Sequence, residues 1–177
     1  MHIDIVGAIP TKSVGGREYA YTVVDDYTRA AYTRPPRPKS EAADAYKSLR
    51  VAAENKSGFR LRAVVIDNAR ELSMGEVRDI CKQDGIKLYT LRRMRWLSAP
   101  SEYSPMRRAL YDSGLPDYLW AEAFNTATYA HNRTPTRALD GRTPFEVRYG
   151  AKPDLAHLRG FGAPCIVVQP LEKLRKP

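Results

Sequence analysis

Cysteine is scarce in this chain, with two among 177 residues, Cys81 and Cys165. Neither lies in a CxxC pattern, which excludes a zinc site built on cysteine. Both stand among apolar neighbours, so the expectation is two buried, reduced thiols of an intracellular protein. Long apolar runs are missing too: nothing approaches the ~20 residues that span a bilayer. No charged-then-apolar leader opens the sequence, so membrane insertion and secretion are set aside in favour of a nuclear or cytoplasmic protein. Acidic residues are in deficit, 20 Asp and Glu against 29 Lys and Arg, for a formal net charge of +9. Such a surplus favours polyanionic partners, nucleic acid before an anionic membrane surface, although charge spread this widely also serves solubility alone. What is present, 43% hydrophobic and 10% aromatic residues, suits one globular domain with a short extension.

The most informative stretch is Arg62-Ala63-Val64-Val65-Ile66-Asp67-Asn68. Its apolar run, rich in β-branched residues, predicts a strand buried on both faces. Open α/β sheets bind ligands beyond the carboxyl ends of their strands, so Asp67 is placed at a crevice. The plainer alternative is that Asp67 and Asn68 simply start a turn.

Around this stretch the chain reads β-β-β-α-β-α-β. Residues 2–9 form a first strand, with Ile3 and Ile5 on one face and His2, Asp4 and Val6 on the other. Asp4 inside an apolar strand must be exposed, paired or bound to a cation. Residues 18–24 and 30–34 complete an antiparallel meander, with Asp25 and Asp26 as turn formers beside Arg29. A proline-rich break at 34–38 precedes a helix capped by Ser40 and closed by Gly58, and after the Asp67 strand a capping box at Ser73 and Glu76 opens a helix that Gly85 ends. Residues 86–90 form the fifth strand. Arg92, Arg93, Arg95 and Trp96 follow, a set suited to phosphates and bases but equally readable as a surface loop. Pro105 as first helical residue and Gly114 bracket a helix over 106–113, and Asp117 caps another that carries Leu119, Trp120, Ala123, Phe124, Ala127 and Ala130 on its apolar side. Beyond Arg133 lie loops, a short helix or turn at 145–149 and a final strand at 165–169. The division is thus 1–133 as a core and 134–177 as a C-terminal extension with the start of a small β module.

Three carboxylates stand out: Asp4, Asp67 and Glu102. Converging acidic groups on a basic protein suit Mg²⁺, which takes oxygen ligands and one or two carboxylates per ion. Two such ions about 4 Å apart can serve phosphodiester chemistry. The chain resembles the ribonuclease-H-like catalytic core of retroviral-type integrases, and within them the Ty1/copia class of retrotransposon integrases. His2 to Ile9 is similar to that family's H-x-D-x-x-G-P-I opening, and Val65 to Glu71 to its D-N-G-G-E segment. Gly16 to Arg29, Asn132 to Thr136, Thr143 to Gly150 and His157 to Gly162 also resemble family text in order.

The resemblance implies an α/β, ribonuclease-H-like mixed five-stranded sheet flanked by helices. It implies Asp4, Asp67 and Glu102 as catalytic and metal-binding residues for two Mg²⁺ (or Mn²⁺) ions, and DNA end processing and strand transfer as the reaction. Donor ends and target DNA are the implied partners, with a second copy of the chain as a further one; the family's zinc-binding module is absent.

Departures pull the other way. Ala69 and Arg70 replace two glycines of the D-N-G-G-E segment, Glu102 aligns only if one residue is deleted, and about six more are missing before Gly114. With Pro105 opening the helix, Glu102 is expected on a loop outside it, where a ~1 Å displacement would cost orders of magnitude in rate. The alternative is therefore a non-catalytic remnant of the same fold that binds nucleic acid by charge or serves as a protein-interaction surface.

Overall fold

The structure is a computed structural model that describes residues 1–6, 8–34, 42–67, 74–91 and 103–165. β1 (His2–Val6), β2 (Ala20–Val24) and β3 (Ala31–Arg34) form an antiparallel meander. Helix α1 (Ala42–Ser57) then carries the chain across to β4 (Ala63–Asp67), and α2 (Met74–Gln83) carries it to β5 (Lys87–Leu91). Both crossovers return in parallel, giving the sheet order β3-β2-β1-β4-β5. Helices α3 (Tyr103–Ser113), α4 (Trp120–His131) and α5 (Pro144–Tyr149) complete the described chain. This is the α/β arrangement that the strand and helix pattern of the sequence calls for.

Period-two alternation sorts the apolar residues into two layers. On one face Ile3, Tyr21, Val23, Val64 and Ile66 bury against Tyr46 of α1 and Val77 and Cys81 of α2. On the other, Ala20 belongs to a core cluster with Met106 and Leu110 of α3 and Trp120, Ala123 and Phe124 of α4. β2 is flanked on both faces, and all five of its residues are buried.

Local chemistry fixes the connections. The Asp25 carboxylate accepts from the Thr28 N–H and hydroxyl at 2.9 and 2.6 Å, and Asp26 pairs with Arg29 at 2.9 Å, so both aspartates shape the β2–β3 turn. Arg50 bridges Glu54 and Asp84, tying the end of α1 to the end of α2. Glu54 also accepts the Leu61 N–H at 2.8 Å, which fixes the entry into β4 and holds its carboxyl below the usual carboxylate range. At the end of α2 the Ile86 N–H reaches the Cys81 carbonyl at 2.7 Å and the Gly85 N–H reaches that of Lys82, with Gly85 at φ +67°: a Schellman stop.

Four expectations are corrected. Helix α3 begins at Tyr103 and not at residue 106, so Pro105 sits third in it; a first-turn N–H has no intrahelical acceptor, and proline is as acceptable there as at the first position. Asp117 opens a short 3-10 turn (Asp117–Leu119), and α4 follows with no side-chain cap. Cys165 is exposed, whereas Cys81 is buried as expected, its sulfur 3.3 Å from the Tyr46 hydroxyl. Ala130, expected on the apolar side of α4, is exposed. Ser40, Ser73, the proline-rich break beyond residue 34 and the strand expected at 165–169 lie, apart from Arg34 and Cys165, outside the described residues.

Two long-range ties were not foreseen. The Asn132 side chain accepts the Ala31 N–H and donates to the Ala31 carbonyl, both at 2.7 Å, and so occupies the open edge of β3 as a further strand would. Gly162, at φ +81°, passes so close to the end of α3 that a Cβ there would stand 2.6 Å from Ser113 Cβ. Gly162→Ala should therefore cost more than the ~1 kcal/mol of an ordinary left-handed substitution. Urea denaturation should show a clearly lower midpoint, and an unchanged midpoint would refute the close approach. Asn132→Ala should cost about 1–3 kcal/mol, since it leaves buried-edge amide groups unpaired.

Candidate active site

β1 lies at the centre of the sheet, antiparallel to β2 and parallel to β4. The parallel register aligns His2 with Val65 and Ile3 with Ile66. One residue further along both strands, position 4 comes level with position 67, the last residue of β4. Ile3 and Ile66 belong to the core under α1 and α2, so strand parity assigns positions 4 and 67 to the opposite face, the one that α3 and α4 cover. On the other side of β1 the residue level with Asp4 is Thr22, a buried polar residue that sequence reading did not single out. Its signal was the same period-two parity.

The surroundings of this pair are polar at one end. His2 Nε2 lies 3.2 Å from the Asp26 carboxylate, which also holds Arg29. His131 Nε2 is 3.3 Å from the Arg29 carbonyl. Neither histidine has a metal-ligand cluster about it: among the described residues no group of three or more His, Cys, Asp or Glu is placed to hold an ion.

Glu102 lies outside the described residues, as do Arg92, Arg93, Arg95 and Trp96. Their described neighbours are informative. Asp67 is level with Leu91, the last residue of β5, and Arg92 follows directly in the chain. Glu102 directly precedes Tyr103, the first residue of α3. Met106, one turn into α3, belongs to the same core cluster as Ala20, which is level with Val6, two residues past Asp4 on the same face of β1.

Adjacent strands lie about 4.8 Å apart, a spacing from which carboxylates in general can share an ion that binds oxygen at about 2.1 Å.

A sheet of this order with helices on both faces is the ribonuclease-H-like core of integrases. The catalytic core domain of HTLV-2 integrase in complex with magnesium, in its trimeric form, superposes over 84% of this chain and 95% of that one, with a TM-score of 0.55 at 17% identity. Its dimeric form does so with a TM-score of 0.54 at 18% identity. The integrase core domain family model matches residues 1–95, more than half of the chain, and the chain belongs to that family. Its relatives are polyproteins of Ty1/copia-type retrotransposons. The retrovirus-related Pol polyprotein from transposon TNT 1-94 of Nicotiana tabacum is 25% identical over 187 residues, covering 99% of this chain and 14% of the polyprotein. That from transposon RE2 of Arabidopsis thaliana is 28% identical over 174 residues, covering 90% of this chain and 11% of the polyprotein. The chain thus spans a small fraction of the length of these relatives.

Like charges level on adjacent strands destabilise a sheet by roughly 0.2–1 kcal/mol. In chelator-containing buffer, Asp67→Asn should therefore melt slightly above the unmodified chain. A melting point several degrees lower would contradict the side-by-side placement.

Proposed function

We propose that this chain is the catalytic core of a retrotransposon integrase, carrying out DNA end processing and strand transfer with Mg²⁺ or Mn²⁺. The observation that carries the reading is the parallel register of β1 and β4, which supports Asp4 and Asp67 as joint holders of metal. When bound, the divalent ions supply charge stabilisation at the scissile phosphodiester and a more acidic attacking water or 3′-hydroxyl. The chain's own contribution is positional. Asp4 and Asp67 are anchored in the two central strands, whose backbones are fixed by hydrogen bonds on both sides. Glu102, which precedes Tyr103 in the chain, is the third carboxylate. Arg92, Arg93, Arg95 and Trp96, which follow β5 in the chain, contact donor or target DNA, and the +9 net charge draws the polyanion in.

Helix α3 begins at Tyr103, so in the chain Glu102 precedes the helix by one residue and Pro105 is not its first. Residues 1–133 form the catalytic unit and 134–177 an extension upon it. A second copy of the chain is a further partner, in keeping with the dimeric and trimeric forms of the HTLV-2 core. No helix among the described residues is long and apolar enough to cross a membrane.

The second reading, a remnant that binds nucleic acid by charge alone, is favoured by Ala69 and Arg70 in place of the family's two glycines. A strand-transfer assay with labelled donor ends separates the two. Under the catalytic reading, joined product forms only with Mg²⁺ or Mn²⁺, and Asp67→Asn lowers it by at least 100-fold, on the order of the loss of a key transition-state contact. Metal-independent DNA binding without product, in both proteins alike, would establish the remnant.

A further inference from the structure

The extension carries a feature that the candidate active site does not use. Arg133 Cζ lies 3.4 Å from the ring centroid of Tyr129 and 4.9 Å from that of Phe145. The Phe145 and Tyr149 rings are 4.6 Å apart. Arg148 Cζ lies 5.8 Å from the Tyr149 ring and 4.9 Å from the ring of Tyr32, on β3. Two cations and four rings thus form one continuous ladder, from the end of α4 across α5 to the edge strand of the sheet.

Neither guanidinium has an acidic partner among the described residues. Other arginines do: Arg29 has Asp26, Arg50 has Glu54 and Asp84, and Arg108 has Asp112. The carboxylates near the ladder are engaged elsewhere. Glu146 accepts the Thr143 N–H at 2.7 Å in the cap of α5, and Asp25 holds Thr28. Arg133 Nη1 donates to the Tyr129 carbonyl at 3.3 Å, but Arg133 Nε, Arg148 Nε and Nη2 and the Tyr32 hydroxyl are buried without a hydrogen-bond partner among the described residues. Burial pushes the Tyr32 hydroxyl up to about 12, so at neutral pH it keeps its proton and is one more donor. The ladder is a set of donors and positive charges without acceptors, and leaving such groups desolvated and unpaired is costly.

We propose that Arg133 and Arg148, shelved on Tyr129, Phe145, Tyr149 and Tyr32, form a second polynucleotide contact that takes backbone phosphates. Phosphate oxygens are acceptors only, and a guanidinium held flat by stacked rings meets them with little ordering cost. Tyr149, half of whose surface is exposed, offers a stacking face beside them. An exposed ring beside two guanidiniums without acidic partners among the described residues, on a chain of net charge +9, favours a polynucleotide over a small anion. β3 is two strands from β1, about 10 Å at the usual spacing, so this contact is separate from the metal-binding pair. The inference rests on the integrase reading only for DNA as ligand.

The test is fluorescence anisotropy of a labelled DNA duplex against salt concentration, with the full chain and with the Arg133→Gln/Arg148→Gln pair. Each phosphate contact contributes about 0.9 to the slope of log K against log salt, so the double variant should lose close to two units of slope. An unchanged slope would overturn the proposal. Should the double variant fail to fold, Arg148→Gln and Arg148→Lys decide: glutamine should lose about one unit and lysine should keep it, and a glutamine variant that keeps it would overturn the proposal. Competition by inorganic phosphate beyond that of chloride at equal ionic strength would make this a small-anion site and overturn the polynucleotide assignment. A chain that binds no DNA would sink both readings. Normal binding with an unchanged slope would sink this one alone, and a reduced slope without metal-dependent strand transfer would sink only catalysis.

Discussion

The parallel pairing of β1 with β4 is the constraint on which the rest of the structure depends. These strands are separated by two others and a helix in sequence, and they meet because the crossover through α1 carries the chain back along the opposite edge of β1. Period two then does the sorting. Once Ile3 and Ile66 are committed to the core beneath α1 and α2, positions 4 and 67 are committed to the other face. Slipping the register by one residue would bury a carboxylate among those apolar side chains, at a cost that the sheet could not recover. The hydrophobic pattern therefore fixes the face of the sheet to which positions 4 and 67 belong.

Much of this was legible in the chain. The β-branched run before Asp67, the aromatic and β-branched run of β2 and the glycines at 58, 85 and 114 are local signals, and each acts locally: all three glycines adopt positive φ at helix ends. The pair Asp25 and Asp26 reads as a turn because each side chain has a partner within three residues, Thr28 for one and Arg29 for the other. The order of the strands also followed, since three successive antiparallel strands and two helical crossovers leave few ways to assemble one sheet.

What was not legible depends on contacts between distant residues. Nothing near Asn132 shows that its amide will pair with Ala31, 101 positions away, and nothing near Gly162 shows that Ser113 will leave no room for a Cβ. The start of α3 was misplaced because proline is tolerated throughout the first turn, so Pro105 marks a helix beginning only to within a few residues. Cys165 was misread for a related reason: apolar neighbours in sequence imply burial only where an element covers them. The arginine ladder is the same kind of case, since Arg133 and Arg148 are ordinary charges until the fold sets rings between them.

The account stands or falls on whether Asp4 and Asp67 act on one ion. Calorimetric titration of Mn²⁺ into the folded chain, beside Asp4→Asn and Asp67→Asn, measures this directly. The expected result is saturable binding by the unmodified protein that either single substitution abolishes. Binding that survives both substitutions, or is absent from the unmodified protein, would contradict it.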